Sequence, residues 1–306
     1  MTVDALPLPA ARSIPARLWA GSTGPVLAVL LALLALWYAT AVLANWRGAA
    51  DAFERAGERR STPELLAATL AQERPVLPAP HQIAAELKKT VLDTPPTSRR
   101  SLLHHAGVTL SATLVGFAMG AILGIGLGIA IVHLPVLERS LLPWIVASQT
   151  VPILAVAPIV IVVLGSVGLT GLVPKAIISA YLCFFPVAIG MVKGLTSPDV
   201  LQRDLLRTYS ASGAQTLWKL RFPASLPFLF ASLKVAVAIS LVGAIVGELP
   251  TGAQAGLGAR LLAGSYYGQT VQIWAALFMA AALASLLVGA VALAERWVNR
   301  RMGVRA

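Results

Sequence analysis

The chain has 306 residues, of which 57% are hydrophobic and 12% charged, with a formal net charge of +11 and a mean hydropathy of +0.78. Soluble domains carry about twice that charged fraction, so the composition excludes an ordinary soluble domain and points to a polytopic membrane protein. The basic residues sit at the ends of apolar runs, where the cytoplasmic bias of Lys and Arg accounts for them without nucleic-acid binding.

Residues 1–25 are rich in Pro and Ala, carry Arg12 and Arg17, and read as a cytoplasmic tail. Residues 26–44 supply a first transmembrane helix inside the uncharged run Leu18–Trp46. That run is longer than the apolar core of a signal peptide, so the sequence favours a retained span. Residues 45–107 form the one extended polar stretch, predicted to be an outer linker with short amphipathic helices. Ser61-Thr62-Pro63-Glu64 reads as a helix start, and Ile83, Leu87 and Val91 share one face of a second short helix that Pro95-Pro96 closes.

Residues 108–295 hold the core membrane domain. Its second span is Val108–Val132, where Gly116, Gly120, Gly124 and Gly128 recur every fourth residue and put one bare helix face against a neighbouring backbone. The third span, Leu141–Leu164, contains Pro143, Pro152 and Pro158, and is expected to kink without ending. Gln149 and Thr150 precede Pro152; they either line a pathway or hydrogen-bond between helices. The fourth span is Val173–Leu195, with Lys175 and Lys193 placed to snorkel at its ends. Span five is Phe228–Gly247 and span six Thr270–Ala294, separated by a Gly-rich outer segment, 249–270, whose one charge is Arg260. Residues 296–306, with Arg296, Arg300, Arg301 and Arg305, form a cytoplasmic tail. The expected fold is all-α, with about six transmembrane helices and both termini in the cytoplasm.

Three further features bear on chemistry. Cys183 lies in an apolar run and reads as core packing. The adjacent His104 and His105 do not face each other on a helix, and no metal site is expected. Glu248 closes span five. A membrane-edge acid is costly, so it either lines the outer end of a pathway or is a helix-end carboxylate facing water or paired with Arg260 or Lys175.

The inner loop 196–227 stands apart, because its stretch Asp204–Pro227 joins two helical runs through Ser210-Ala211-Ser212-Gly213 and closes on Pro223 and Pro227. It resembles the inner-loop signature of the membrane subunits of type I ABC importers, Glu-Ala-Ala, then Gly four residues after the second Ala, and later a Leu-Pro end. Asp204 falls at the Glu position, Leu205-Leu206 at the two Ala positions and Ser210 at the Gly, with Leu220-Arg221-Phe222-Pro223 as the closing end. Leu77-Pro78-Ala79-Pro80, Ser148–Pro152 with Pro158, Gly243–Glu248 and Gly256-Leu257-Gly258 are similar to segments of the nitrate, sulfonate and taurine branch, over roughly residues 75–302.

The resemblance implies a type I importer permease fold and a bacterial inner-membrane location. It also implies a coupling contact with a cytoplasmic ATPase dimer through Arg203, Asp204, Arg207, Ser210, Ala211, Ser212 and Gly213. An extracytoplasmic binding protein delivers the solute, and two permease copies, alike or sister chains, enclose the pathway in the lipid bilayer. Gln149, Thr150 and Glu248 are the candidate pathway residues. The chain lacks a Gly-x-x-x-x-Gly-Lys-Ser/Thr loop, so it is not expected to bind a cofactor or to act as an enzyme, and ATP is used by the partner. The solute is a small organic molecule or anion, of the nitrate, sulfonate or taurine kind or a pyrimidine or flavin-type precursor. The Asp204–Ser210 and Val242–Glu248 runs lean toward the latter. A gradient-driven secondary transporter would need buried acids within the spans and an inverted repeat. An intramembrane protease would need a paired catalytic set. Neither pattern is present.

Overall fold

The computed structural model describes residues 23–57, 61–250 and 253–303. Residues 1–22, with Arg12 and Arg17, and 304–306, with Arg305, lie outside the described residues. The all-α expectation holds: among the described residues five helices are long and apolar enough to cross a membrane, and a bent pair supplies a sixth crossing if counted as one. The chain divides into two units, 1–85 and 86–306.

In the first unit, α1 runs Thr23–Ala56. It continues twelve residues past the predicted end at Ala44, because charge ends an apolar run without ending a helix and no proline stands between Asn45 and Ala56. α2, Thr62–Leu70, starts at Ser61, whose N–H donates to the Glu64 carboxylate at 3.0 Å. The polar stretch beyond it is folded onto α1. The fully buried Asn45 side chain accepts from the Val76 and Leu77 N–H groups, at 2.8 and 3.2 Å, and donates to the Leu77 carbonyl at 2.8 Å. A third helix, α3, Pro80–Val91, spans the boundary between the units.

The second unit is built on α4, Leu102–His133, α7, Leu172–Thr196, and α10, Phe222–Glu248. The glycine stripe of α4 meets a neighbouring helix as expected, and that neighbour is α7. A Cβ on Gly120, Gly124 or Gly128 would fall 2.6–2.8 Å from the nearest α7 atom, and one on Gly116 would overlap Ser179. Such an approach brings dispersion contacts that only glycine permits. Ser179 then links all three helices: its hydroxyl lies 2.6 Å from that of Ser240, which donates to the Thr113 carbonyl at 3.0 Å. Cys183 is fully buried with Val187, Met191, Leu195, Leu229 and Ala236, in the core role read from the sequence.

The third predicted span differs. It is two 14-residue helices, α5, Pro135–Ser148, and α6, Ile153–Ser166, meeting at 98°. Pro143 and Pro158 stay inside helices. Pro152 does not, because it lacks an N–H and drives Val151 out of helical geometry. The Ser148 carbonyl freed by the break accepts from the Tyr181 hydroxyl at 2.5 Å. Between α7 and α10 lie α8, Val200–Thr208, and α9, Gly213–Thr216. After α10 come α11, Leu257–Tyr266, and α12, Thr270–Arg301. Lys234 of α10 and Glu295 of α12 pair at 2.8 Å. Leu87 and Val91 pack on a cluster of Leu102, Ala106, Leu257, Ala275, Ala276 and Ala280.

Candidate functional site

Two places stand out, at opposite ends of α7. The first is the loop 196–222. In α8, Gln202 reaches back to the Asp199 N–H at 3.2 Å, which caps the first turn. The helix ends with the Ser210 N–H donating to the Arg207 carbonyl at 2.9 Å and the Ala211 N–H donating to the Leu206 carbonyl at 3.0 Å. This is the Schellman pattern, in which the residue after the cap turns left-handed and glycine is the usual occupant. Here it is Ser210, at φ +53°, the one non-glycine residue with positive φ among the described residues.

α9 then starts on Ser212, whose N–H donates to Gln215 Oε1 at 2.8 Å while its hydroxyl accepts from the Gln215 N–H at 3.2 Å. The chain leaves through a π turn, Leu217–Arg221, in which the Phe222 N–H reaches back five residues to the Leu217 carbonyl. Trp218 and Phe222 hold it with rings 5.1 Å apart. Asp204 and Arg207 form an exposed ion pair at 3.2 Å, which at such exposure contributes little and leaves both free to exchange partners. Arg203 and Arg221 each keep a buried Nε without an acceptor.

At the other end, the last turn of α10 holds the chain that follows it. Glu248 is fully buried. Its carboxylate accepts from the Thr109 hydroxyl, 3.0 Å from each oxygen, and from the Gly258 N–H at 2.9 Å, and lies 3.6 Å from Lys175 Nζ. Lys175 also donates to the Ala255 carbonyl at 3.2 Å. The Leu257 N–H donates to Thr109 Oγ1 at 2.8 Å, and the Gly256 N–H donates to His105 Nδ1 at 3.0 Å. His105 Nε2 lies 2.9 Å from the Arg99 carbonyl, so the proton sits on Nε2 and Nδ1 is free to accept. Three consecutive amides, 256 to 258, are thus fastened to side chains of α4 and α10. Gly256 is at φ +128°, and a Cβ there would overlap the Glu248 carboxylate.

Residues 116–304 match the family of binding-protein-dependent transport system inner membrane components. The chain belongs to this family. It is 33% identical to the formylaminopyrimidine transport permease protein ThiX of Halalkalibacterium halodurans over 183 residues, 60% of this chain and 68% of the relative. The riboflavin transport system permease protein RibX of Chloroflexus aurantiacus is 31% identical over 228 residues, 74% and 80% of the two chains. The putative aliphatic sulfonates transport permease protein SsuC of Bacillus subtilis is 28% identical over 232 residues, again 74% and 80%. The protein is therefore a multi-pass permease subunit of an ABC importer of the sulfonate, nitrate and taurine branch, and a secondary transporter is not favoured.

The permease brings Arg203, Asp204, Arg207 and Ser210–Gly213 together on one loop, all exposed except Arg203 and Ala211, which are half-buried. Gln149 and Thr150 are exposed at the break between α5 and α6, rather than inside a kinked span. Glu248 has no exposed surface and pairs with Lys175, one of the alternatives the sequence left open. Lys175 was expected to snorkel; its side chain is instead only 12% exposed, because Glu248 and the Ala255 carbonyl hold its ammonium inside the fold. Arg260 stands near Glu86: burial holds its guanidinium below the ordinary value, and the carboxylate opposes that shift. Sequence reasoning missed Thr109 and His105 as partners of the 256–258 segment. It also missed the Ser212-to-Gln215 capping box, whose Ser-x-x-Gln spacing was visible.

The left-handed Ser210 carries a testable cost. A non-glycine residue there loses about 1–2 kcal/mol. Ser210→Gly is expected to slow amide hydrogen exchange across 205–216 several-fold, and Ser210→Val to speed it. Equal exchange in all three chains would contradict the turn geometry.

Proposed function

We propose that the loop 199–216 is the surface through which this permease couples to a cytoplasmic ATPase dimer. The observation that carries it is an exposed pair of short capped helices, joined at Ser210 and anchored by Trp218 and Phe222, at the position of the family's inner-loop signature. Family membership implies an ATPase and a substrate-binding protein as partners in general. Asp204 and Ser210–Gly213 form the contact surface, and Arg203 and Arg207 offer cations to acidic groups of the ATPase.

Both termini are cytoplasmic, a binding protein docks on the far side, and two copies of the fold, identical or sister chains, enclose the pathway in the bacterial inner membrane. ATP is bound and hydrolysed by the partner, and the chain itself carries no cofactor. Gln149 and Thr150, exposed where α5 breaks from α6, contribute polar groups to the pathway. Glu248 serves it by positioning the segment that follows α10. The solute is a small molecule of the classes named for the relatives: a formylaminopyrimidine or riboflavin on one side, sulfonate, taurine or nitrate on the other.

Co-purification in detergent with candidate ATPases, scored by ATP turnover, tests the coupling assignment. A stable complex is expected, with turnover falling at least about tenfold, the equivalent of about 1.4 kcal/mol, when Asp204→Lys and Ser212→Pro are introduced together. If no ATPase binds, or if the altered loop couples as the parent does, the assignment fails.

A further inference from the structure

At the end of the bundle remote from the coupling loop, a cavity of about 450 Å³ opens among α4, α6, α7 and the chain after α10. Its walls include apolar Val108, Ile161 and Pro174 and the polar groups of Thr170, Lys175 and Gln254. Lys175 is the one charged residue among those lining it. Small-molecule sites have this make-up: mostly apolar walls with a few placed hydrogen-bonding groups.

The charge balance decides what fits. The Lys175 ammonium is already matched by Glu248 at 3.6 Å, and the Glu248 carboxylate lies behind it without exposed surface. The pair as a whole is neutral. A full anion entering the cavity would lose its hydration and find no uncompensated positive charge, which is costly. A neutral solute loses far less. An ammonium has three donors. One goes to the Ala255 carbonyl and one faces Glu248, which leaves one for an acceptor in the cavity. The Thr170 hydroxyl and the Gln254 amide can each donate or accept, while the apolar walls suit an uncharged body.

Resting on the importer reading, we infer that this cavity is a solute subsite selecting an uncharged small molecule with carbonyl or amide groups, such as a formylaminopyrimidine, over small anions and zwitterions. Lys175, Thr170 and Gln254 supply the hydrogen bonds, and Glu248 sets the selectivity by cancelling the lysine charge.

The single native cysteine makes the test clean, because Cys183 is fully buried. Val108→Cys and Ala253→Cys, introduced singly into the full chain, place a reporter thiol in the lining without removing a polar group. Labelling by N-ethylmaleimide in native membranes is followed with and without formylaminopyrimidine, taurine or nitrate. Formylaminopyrimidine is expected to slow labelling at both positions at least threefold, while taurine and nitrate leave it unchanged. Lys175→Met, or Gln254→Leu should the lysine variant not accumulate, is expected to abolish the protection.

Protection by taurine or nitrate but not by the pyrimidine overturns the selectivity, and protection by none of the three overturns the subsite. ATP turnover of the parent complex is measured in parallel. Intact turnover without protection sinks the subsite alone, whereas absence of any ATPase complex sinks the importer coupling on which it rests.

Discussion

Gly124→Leu is expected to abolish accumulation of folded permease, while Gly126→Ala leaves it at the parent level. A Cβ on Gly124 would lie 2.7 Å from the Phe184 carbonyl oxygen, 2.8 Å from Val187 Cβ and 3.0 Å from the Ala188 nitrogen. Two of those three atoms are backbone, so no change of rotamer relieves the overlap, and α4 must move away from α7. Overpacking typically costs about 1–3 kcal/mol where side chains can yield. Here leucine adds three more carbons against a fixed wall, and the loss reaches or exceeds the upper end of that range. Folded proteins hold only about 5–15 kcal/mol in reserve. Gly126, two residues on, has nothing within 4 Å of its Cβ position and serves as the control. Yield of monodisperse protein and melting temperature in detergent check both variants. A Gly124→Leu chain that melts with the parent would mean that α4 and α7 do not approach as described.

Glu248→Ala is expected to lower stability by about 3–5 kcal/mol, the range for removing one partner of a buried ion pair. The change strands Lys175 in a setting where only the Ala255 carbonyl still receives it, and leaves the Gly258 N–H without its acceptor. Glu248→Gln keeps an acceptor and the shape, and loses less. The double variant Glu248→Gln with Lys175→Met removes both charges and recovers part of the loss relative to Glu248→Ala. Limited proteolysis after residue 248 adds a local reading, because the amides of 256–258 are released when their acceptors are disturbed. The expected order of resistance is parent, Glu248→Gln, Glu248→Ala. Equal resistance in all three would remove Glu248 from its positioning role.

These two sites also show what a sequence can and cannot reveal. The four-residue glycine repeat of α4 could be read directly, because helical periodicity turns spacing into a face and glycine states how near the neighbour comes. Its partner could not be named, since Ser179, Cys183 and Val187, though also four apart, lie some sixty residues on and share neither size nor polarity that would mark them as one face. Pro152 was visible as a proline, but three prolines share that stretch. The break falls at Pro152, where the Tyr181 hydroxyl takes up the Ser148 carbonyl, a contact that comes from a helix thirty-three residues on and leaves no local mark. Glu248 was conspicuous as an acid at a membrane edge. Its meaning depended on Thr109, 139 positions earlier, and on the turn at Gly256. The coupling loop was the most legible region, because turn chemistry and capping are local. The serine at the signature's glycine position read as a departure, and the structure shows that the backbone there still makes the left-handed turn that a glycine would favour.

The π turn at Leu217–Arg221 has a consequence for how such chains are aligned. Each residue of an α-helix advances the chain by about 100° around the axis, and a π turn accommodates one residue more than an α turn. Removing one residue between Leu217 and Arg221 would let the turn tighten while the core-facing residues of α10 keep their places. The same deletion further along α10 would swing Gly243 and Ser240 off the faces that meet Ser179. The interval from Asp204 to Pro223 therefore records the type of turn as well as the identity of the motif. Two relatives whose intervals differ by one residue can still carry the loop in the same orientation beneath the same helix face.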